Sequence, residues 1–290
     1  MRRVFFLVSA TTVLLWVSAC STVSLGYRNA PLLASLWVGR VFDLPSAQSD
    51  AVRAALDETW RWHVGAPRQE LIALLRETAS RLDRPVAAED VAWAFAQFDR
   101  SSDRVSEVFA RDLVKRWPAM NADEIGALEA HLAERRAEFA DTLKDGDANA
   151  QALRRTDELV DELEDWFGHV TDAQQVYIVR SAAMHLDQSI WLAERARRHR
   201  ELVAVLKRNP PEGLYDWIAR WRDSRPPQIV AEWARREAIY QRFWVDLLAM
   251  AEPDQIAHAQ ARLRGWADDL AAIEVPTELA ARGDAACPAC

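Results

Sequence analysis

Along most of the chain, apolar residues recur at alternating steps of three and four, the spacing that lines side chains along one face of a helix. Ile256, Ala259, Leu263, Trp266, Leu270 and Ile273 form the clearest seam, of the kind that packs against neighbouring helices. A second row, Val91, Phe95, Phe98, Val105, Phe109 and Leu113, stops before Pro118, and a third runs through Leu153, Val160, Leu163, Phe167 and Val170. No stretch alternates apolar and polar residues between turn pairs such as Asn-Gly, so strands are not expected. The pattern predicts an all-α fold: an elongated bundle of about eight or nine helices forming a helical domain over residues 32–273.

Helix punctuation falls at Pro45, Pro67, Pro85, Pro118, Asp145-Gly146-Asp147, Asn209-Pro210-Pro211, Pro226-Pro227 and Pro253. Between Thr171 and about Lys207 there is neither Gly nor Pro, which predicts one helix roughly 55 Å long at 1.5 Å per residue. Thr171 with Gln174, and Asn121 with Glu124, have the spacing of a capping box, in which each side chain satisfies a backbone N–H at the helix start. Pro45-Ser46-Ala47-Gln48 and Glu252-Pro253-Asp254-Gln255 keep the glutamine and use proline near the first turn. The four starts lie 76, 50 and 81 residues apart. The similar outer intervals are what a diverged duplication would leave.

The first thirty residues have a different pattern. Met1-Arg2-Arg3 precedes an uncharged run from Val4 to Val17, the layout of a secretory signal. At fourteen residues the run is shorter than the roughly 20 needed to span a bilayer. Its ending, Val17-Ser18-Ala19-Cys20, resembles the bacterial lipobox, which implies a signal peptide over 1–19 and lipidation of Cys20. Residues 20–31 are then the lipidated cysteine and a short tether, reaching about 33 Å at most. Ser21 after the cysteine implies the outer membrane of a Gram-negative cell, with the body facing the periplasm. Residues 274–290 lose the helical seam and are expected as a flexible C-terminal tail.

Composition narrows the function. Half of the residues are apolar, enough for a sizeable core, and the chain has only 9 glycines and 12 prolines. Removing residues 1–19 takes Arg2 and Arg3 with it and moves the formal net charge from −8 to −10. Such a chain is not expected to bind nucleic acid, which rewards clustered positive charge.

Candidate chemistry is sparse. His63, in Trp62-His63, suits a ligand or general base, or else closes a helix end where positive charge is favoured. No pair of histidines has metal-binding spacing, no nucleophile elbow or phosphate loop is present, and no cofactor is expected. Trp217, Trp221, Trp233 and Trp244 crowd one region, as core faces of helices or as an aromatic groove for a peptide, glycan or lipid chain. Arg195, Arg197, Arg198, His199 and Arg200 form a basic patch that either meets lipid phosphates or pairs with acidic neighbours such as residues 157–162. The candidate binding surface is therefore Trp217, Trp221, Trp233 and Trp244 with Arg197, Arg198 and Arg200. Cys287 and Cys290 have Cys-x-x-Cys spacing without a thioredoxin-like context, so a disulfide is the expected use.

Two resemblances add to this reading. Leu-Thr-x-x-Gln at helix starts marks the Spy and CpxP type of periplasmic chaperones, and the helix starts above resemble it in part, none reading it in full. A closer match orders a lipobox, Leu25-Gly26-Tyr27-Arg28-Asn29-Ala30, Val41-Phe42-Asp43-Leu44 with Gln48, Trp62-His63, Val170-Thr171-Asp172-Ala173-Gln174, and Arg262-Leu263-Arg264-Gly265-Trp266-Ala267-Asp268-Asp269-Leu270. This resembles a family of uncharacterised proteobacterial lipoproteins, the domain of unknown function DUF6279. After His63 the chain reads Val64-Gly65-Ala66-Pro67 where the family's pattern carries charged residues. The resemblance implies export, anchoring and helices but no activity. The expected function is a non-catalytic envelope lipoprotein that binds an envelope protein partner or an unfolded client, held to the membrane through the Cys20 lipid anchor. A lipid or glycan carrier with an aromatic groove, and an enzyme with a dispersed site, are the alternatives.

Overall fold

A computed structural model describes residues 22–142, 148–182, 188–208, 211 and 213–274. Every regular element among them is helical: α1 (Thr22–Arg28), α2 (Ala30–Phe42), α3 (Ser46–His63), α4 (Ala66–Arg81), α5 (Ala88–Arg116), α6 (Ala122–Thr142), α7 (Ala148–Phe167), α8 (Asp172–Ala182), α9 (Gln188–Leu206), α10 (Leu214–Ala219), α11 (Pro227–Ala249) and α12 (Pro253–Ala271). The all-α class is as expected, but twelve helices are described rather than eight or nine. The two extra short ones, α1 and α10, hold too few residues to show a periodic stripe. The helix predicted from Thr171 to about Lys207 is described as α8 and α9, with 183–187 between them outside the described residues. The stretch read as a signal peptide, Cys20, the Asp145-Gly146-Asp147 stretch, and Cys287 and Cys290 of the expected tail also lie outside them.

From Thr22 onward the predicted tether is helix. Val23 and Tyr27, one turn apart, give α1 an apolar side that packs against Ile72, Ala267, Leu270 and Ile273. Trp60 Nε1 donates to the Tyr27 carbonyl at 3.0 Å. An i, i+4 pair is enough to dock seven residues once neighbouring helices supply the other side.

The interior has two main cores. In one, Ile125, Leu128 and Leu132 of α6 meet Leu202, Val203 and Leu206 of α9 and Leu214 of α10, continuing into Ala51, Val52 and Ala55 of α3 and Leu113 of α5. In the other, Leu163 and Phe167 of α7, Ile178 of α8, Phe243 and Leu247 of α11 and Ala259 of α12 pack together. The seam read along 256–273 runs from this core, where Ala259 is buried, through buried Leu263 to the cluster around Ile72 on α4, which takes Leu270, Ile273 and Ala267. Arg68, itself buried, closes this helix by donating Nη1 to the carbonyls of Ile273 at 2.6 Å and Leu270 at 3.4 Å. Helix α5 spans both ends. Its Asp90 is held by Arg81 and Arg84, its Leu113 lies in the first core, and Arg222 binds its Asp99 and Asp103 at 2.9 and 2.8 Å. One residue of its predicted buried row turns outward: Phe98 is 68 % exposed, because its step along α5 faces an open groove against α11 rather than a packed helix.

The predicted capping boxes form. Thr171 N–H donates to Gln174 Oε1 at 2.9 Å and Gln174 N–H to Thr171 Oγ1 at 3.3 Å; Asn121 and Glu124 make the same exchange. The four starts also meet in pairs. Gln48 donates to the Pro118 carbonyl just before α6, and Gln174 and Gln255 bond each other across the starts of α8 and α12. First with second and third with fourth is the pairing a duplicated unit would have.

Candidate functional site

A cleft of about 650 Å³ lies where α2, α6, α9, α10 and α11 converge. Trp37, Trp191, Trp217, Trp221 and Trp233 line it with Arg195, Arg198 and Arg225. Each arginine lies on an aromatic face. The Arg225 guanidinium sits 4.1 Å from the Trp221 ring centroid and 4.5 Å from that of Trp233, Arg198 is 4.4 Å from Trp217, and Arg195 is 4.3 Å from Phe139. Behind the cleft wall, Arg236 lies 4.1 Å over Trp191. The indoles meet edge-on, Trp191 with Trp233 at 5.1 Å and Trp221 with Trp233 at 6.4 Å. Such stacking fixes guanidinium planes while leaving their edges available.

Those edges are largely unused. Arg198 donates Nη2 to the Trp217 carbonyl at 2.8 Å, and Trp217 Nε1 returns a bond to the Arg198 carbonyl at 3.1 Å. Arg198 Nη1, Arg225 Nε and Nη2, and Trp191 Nε1 are buried with no partner among the described residues. Burial disfavours the charged form of Arg198 and Arg225, Glu201 and Glu194 respectively opposing it. By contrast, the cleft's carboxylates are engaged, Glu138 by Arg135 at 2.7 Å and Glu194 by Arg197 at 2.6 Å. His199 is pushed down to about 4, first by burial and then by Arg136, Arg195 and Arg198. It is neutral at pH 7 and bonded through Nδ1 to Arg136 at 3.0 Å. Inward, the cleft shares Trp37, Phe42, Arg198, Trp217 and Trp221 with an apolar hollow of about 360 Å³, floored by Leu113, Leu128 and Leu202.

The structure brings together only part of the surface read from sequence. Trp217, Trp221, Trp233 and Arg198 are in the cleft. Trp244 is not: it lines a separate apolar groove of about 460 Å³ with Trp93, Phe98 and Leu248, because α11 carries Trp233 and Trp244 eleven residues apart, too far to share one site. Arg197 is paired within α9 to Glu194 and Glu201 rather than to residues 157–162, and Arg200 points to solvent. Trp37, Trp191 and Arg225 are the residues missed. Trp191 lies one turn before Arg195, a signal available in sequence, whereas nothing local marked Trp37 or Arg225.

Residues 40–223 match a family of unknown function, DUF6279. The chain belongs to this family. No curated protein and no solved structure matches it. The DUF6279 match spans most of the cleft wall, from Val41 to Trp221, while Trp37, Arg225 and Trp233 fall outside it. Two stretches singled out in the sequence meet in space: Tyr27 Oη lies 2.7 Å from His63 Nδ1. Burial lowers the His63 pKa and pushes Tyr27 up to about 12, so His63 serves as a neutral hydrogen-bonding ring rather than as a positive charge closing α3. Among the described residues, the ligand-type atoms of His169, Glu252 and Asp254 lie within 4.8 Å of one another. Both carboxylates stand at the start of α12, where negative charge is favoured without any ion.

Proposed function

We propose that this protein is a lipid-anchored, periplasm-facing binding protein of the cell envelope that captures an anionic amphiphile. The ligand class is a carboxylate or phosphate joined to an apolar chain. The supporting observation is the set of buried, unpartnered N–H groups on Arg198 and Arg225, held flat by tryptophans in the cleft wall, with Arg198 also lining the apolar hollow. Planar guanidinium forks match carboxylate and phosphate oxygens, and desolvation strengthens such bonds. The hollow behind them takes the chain. Since Glu138 and Glu194 are already engaged by arginines and His199 is held neutral by burial and by its cationic neighbours, the cleft lends itself to holding a ligand rather than to proton transfer. Titration of the protein with a lysophosphatidic acid, followed by tryptophan fluorescence and native mass spectrometry, tests this. Saturable one-to-one binding is expected, weakened about ten-fold or more by Arg225→Gln, as charge-assisted bonds worth about 1.5–3 kcal/mol require. Binding that is absent, or unchanged in Arg225→Gln, overturns it. Cys20→Ser is expected to release the protein from the membrane fraction; retention there overturns the anchor.

A protein partner or unfolded client is the second reading, favoured by the apolar groove at Trp93, Phe98, Trp244 and Leu248, where Phe98 lies open to solvent. Suppression of aggregation of a reduced client protein, lost in Phe98→Asp, is its readout.

A further inference from the structure

Helix α2 is turned inside out. It has no buried residue, and its outward arc holds Leu32, Leu33, Leu36 and Trp37, each 54–63 % exposed. On α1, Leu25 is 59 % exposed. The opposite arc of α2 attaches it to the body through Val38 and Phe42, which pack against the first core. Between Thr22 and Phe42 the only charged residues are Arg28 and Arg40, both exposed and both basic, in a chain of formal net charge −8. An apolar stripe of leucines and a tryptophan flanked by arginine alone is what an anionic lipid surface selects in a helix lying in its plane. The preceding sequence supplies the position: the uncharged run Val4–Val17 and Cys20 end just before α1 begins, so whatever attaches them to a bilayer brings α1 and α2 to its surface. Among the described residues no helix is long and apolar enough to cross a membrane.

We propose that α1 and α2 form a membrane-docking face, with Leu32, Leu33, Leu36 and Trp37 seated at the boundary of headgroups and acyl chains and Arg28 and Arg40 against lipid phosphates. This rests on the anchoring half of the proposed function and is independent of what fills the cleft. It also sets the orientation of the molecule. Trp37 belongs to both the docking face and the cleft wall, so docking turns the cleft mouth toward the bilayer.

The test uses the full chain, processed in cells and reconstituted into vesicles of phosphatidylethanolamine and phosphatidylglycerol whose acyl chains carry bromine. Flotation reports attachment, and bromine quenching of tryptophan reports insertion. The expected result is that wild type and Trp37→Phe both float, while Trp37→Phe loses a component of the quenching. A Leu33→Asp/Leu36→Asp variant, its helicity checked by circular dichroism, floats but loses the same component. Flotation with equal quenching in wild type and Trp37→Phe overturns the docking. So does a dimer mass in detergent that Leu33→Asp/Leu36→Asp reduces to a monomer, since the face then belongs to a second copy. Failure to float overturns the anchoring beneath the proposal.

Discussion

Gln174 and Gln255 join the starts of α8 and α12 by reciprocal amide hydrogen bonds, each Nε2 donating to the other's Oε1 at 2.9 Å. Each Oε1 also accepts a backbone N–H of its own helix start, from Thr171 and from Glu252. Gln255 Nε2 reaches the His169 carbonyl as well, at 2.8 Å. Both side chains are almost wholly buried. Gln174→Glu keeps the shape but sets an acceptor against Gln255 Oε1, leaving a buried group unpaired at a cost of about 1–3 kcal/mol. Thr171→Ala, which removes only a cap, costs about 1 kcal/mol. Urea unfolding of the two variants is expected to show the larger loss for Gln174→Glu, and a smaller loss there would contradict the buried pairing.

Two glycines have opposite requirements. Gly168 ends α7 at φ +80°, and an added Cβ would come 3.2 Å from His258 Nδ1 on α12. Gly168→Ala therefore costs roughly 1–2 kcal/mol in backbone strain, plus displacement of His258. Gly126 lies within α6 with nothing within 4 Å of its Cβ position. Gly126→Ala is expected to stabilise by up to about 1 kcal/mol. Thermal unfolding midpoints moving in opposite directions would bear this out.

Acid should act in two windows. The His199 pKa lies at about 4 in the folded chain, against an ordinary 6.5. Between these values the unfolded chain takes up a proton that the folded one refuses, so its stabilising effect is whole above 6.5 and is lost as pH falls toward 4. The groups facing His199 here are Arg136, Arg195 and Arg198. Asp90 is held well below the usual carboxylate range by Arg84, by the Ala87 N–H and by Arg81. Its stabilising effect is present above its ordinary 3.8 and is lost below it. His199→Gln should flatten the upper window, and Asp90→Asn the lower one, in denaturation midpoints measured against pH.

Much of this architecture was legible in sequence because helices are local. The seam along 256–273, the boxes at Asn121 and Thr171 and the all-helical character of the described residues follow from side chains within one or two turns of each other. Phe98 shows where that ends: its spacing places it on the stripe of α5, yet whether a stripe is covered depends on what the neighbouring helices bring to it. Gln174 was legible as a cap and silent about Gln255, 81 residues away.

The sequence by itself determined the helical class, the starts of the helices and the richness in tryptophan and arginine. Only the tertiary structure decided which of those rings and cations share a site. It separated Trp244 from Trp233, turned Arg197 toward its own helix, and drew Trp37 and Arg225 into the cleft. The reason is one of range: helix periodicity is set by hydrogen bonds four residues long, whereas a cleft is set by how whole helices cross, and that depends on packing among residues far apart in the chain.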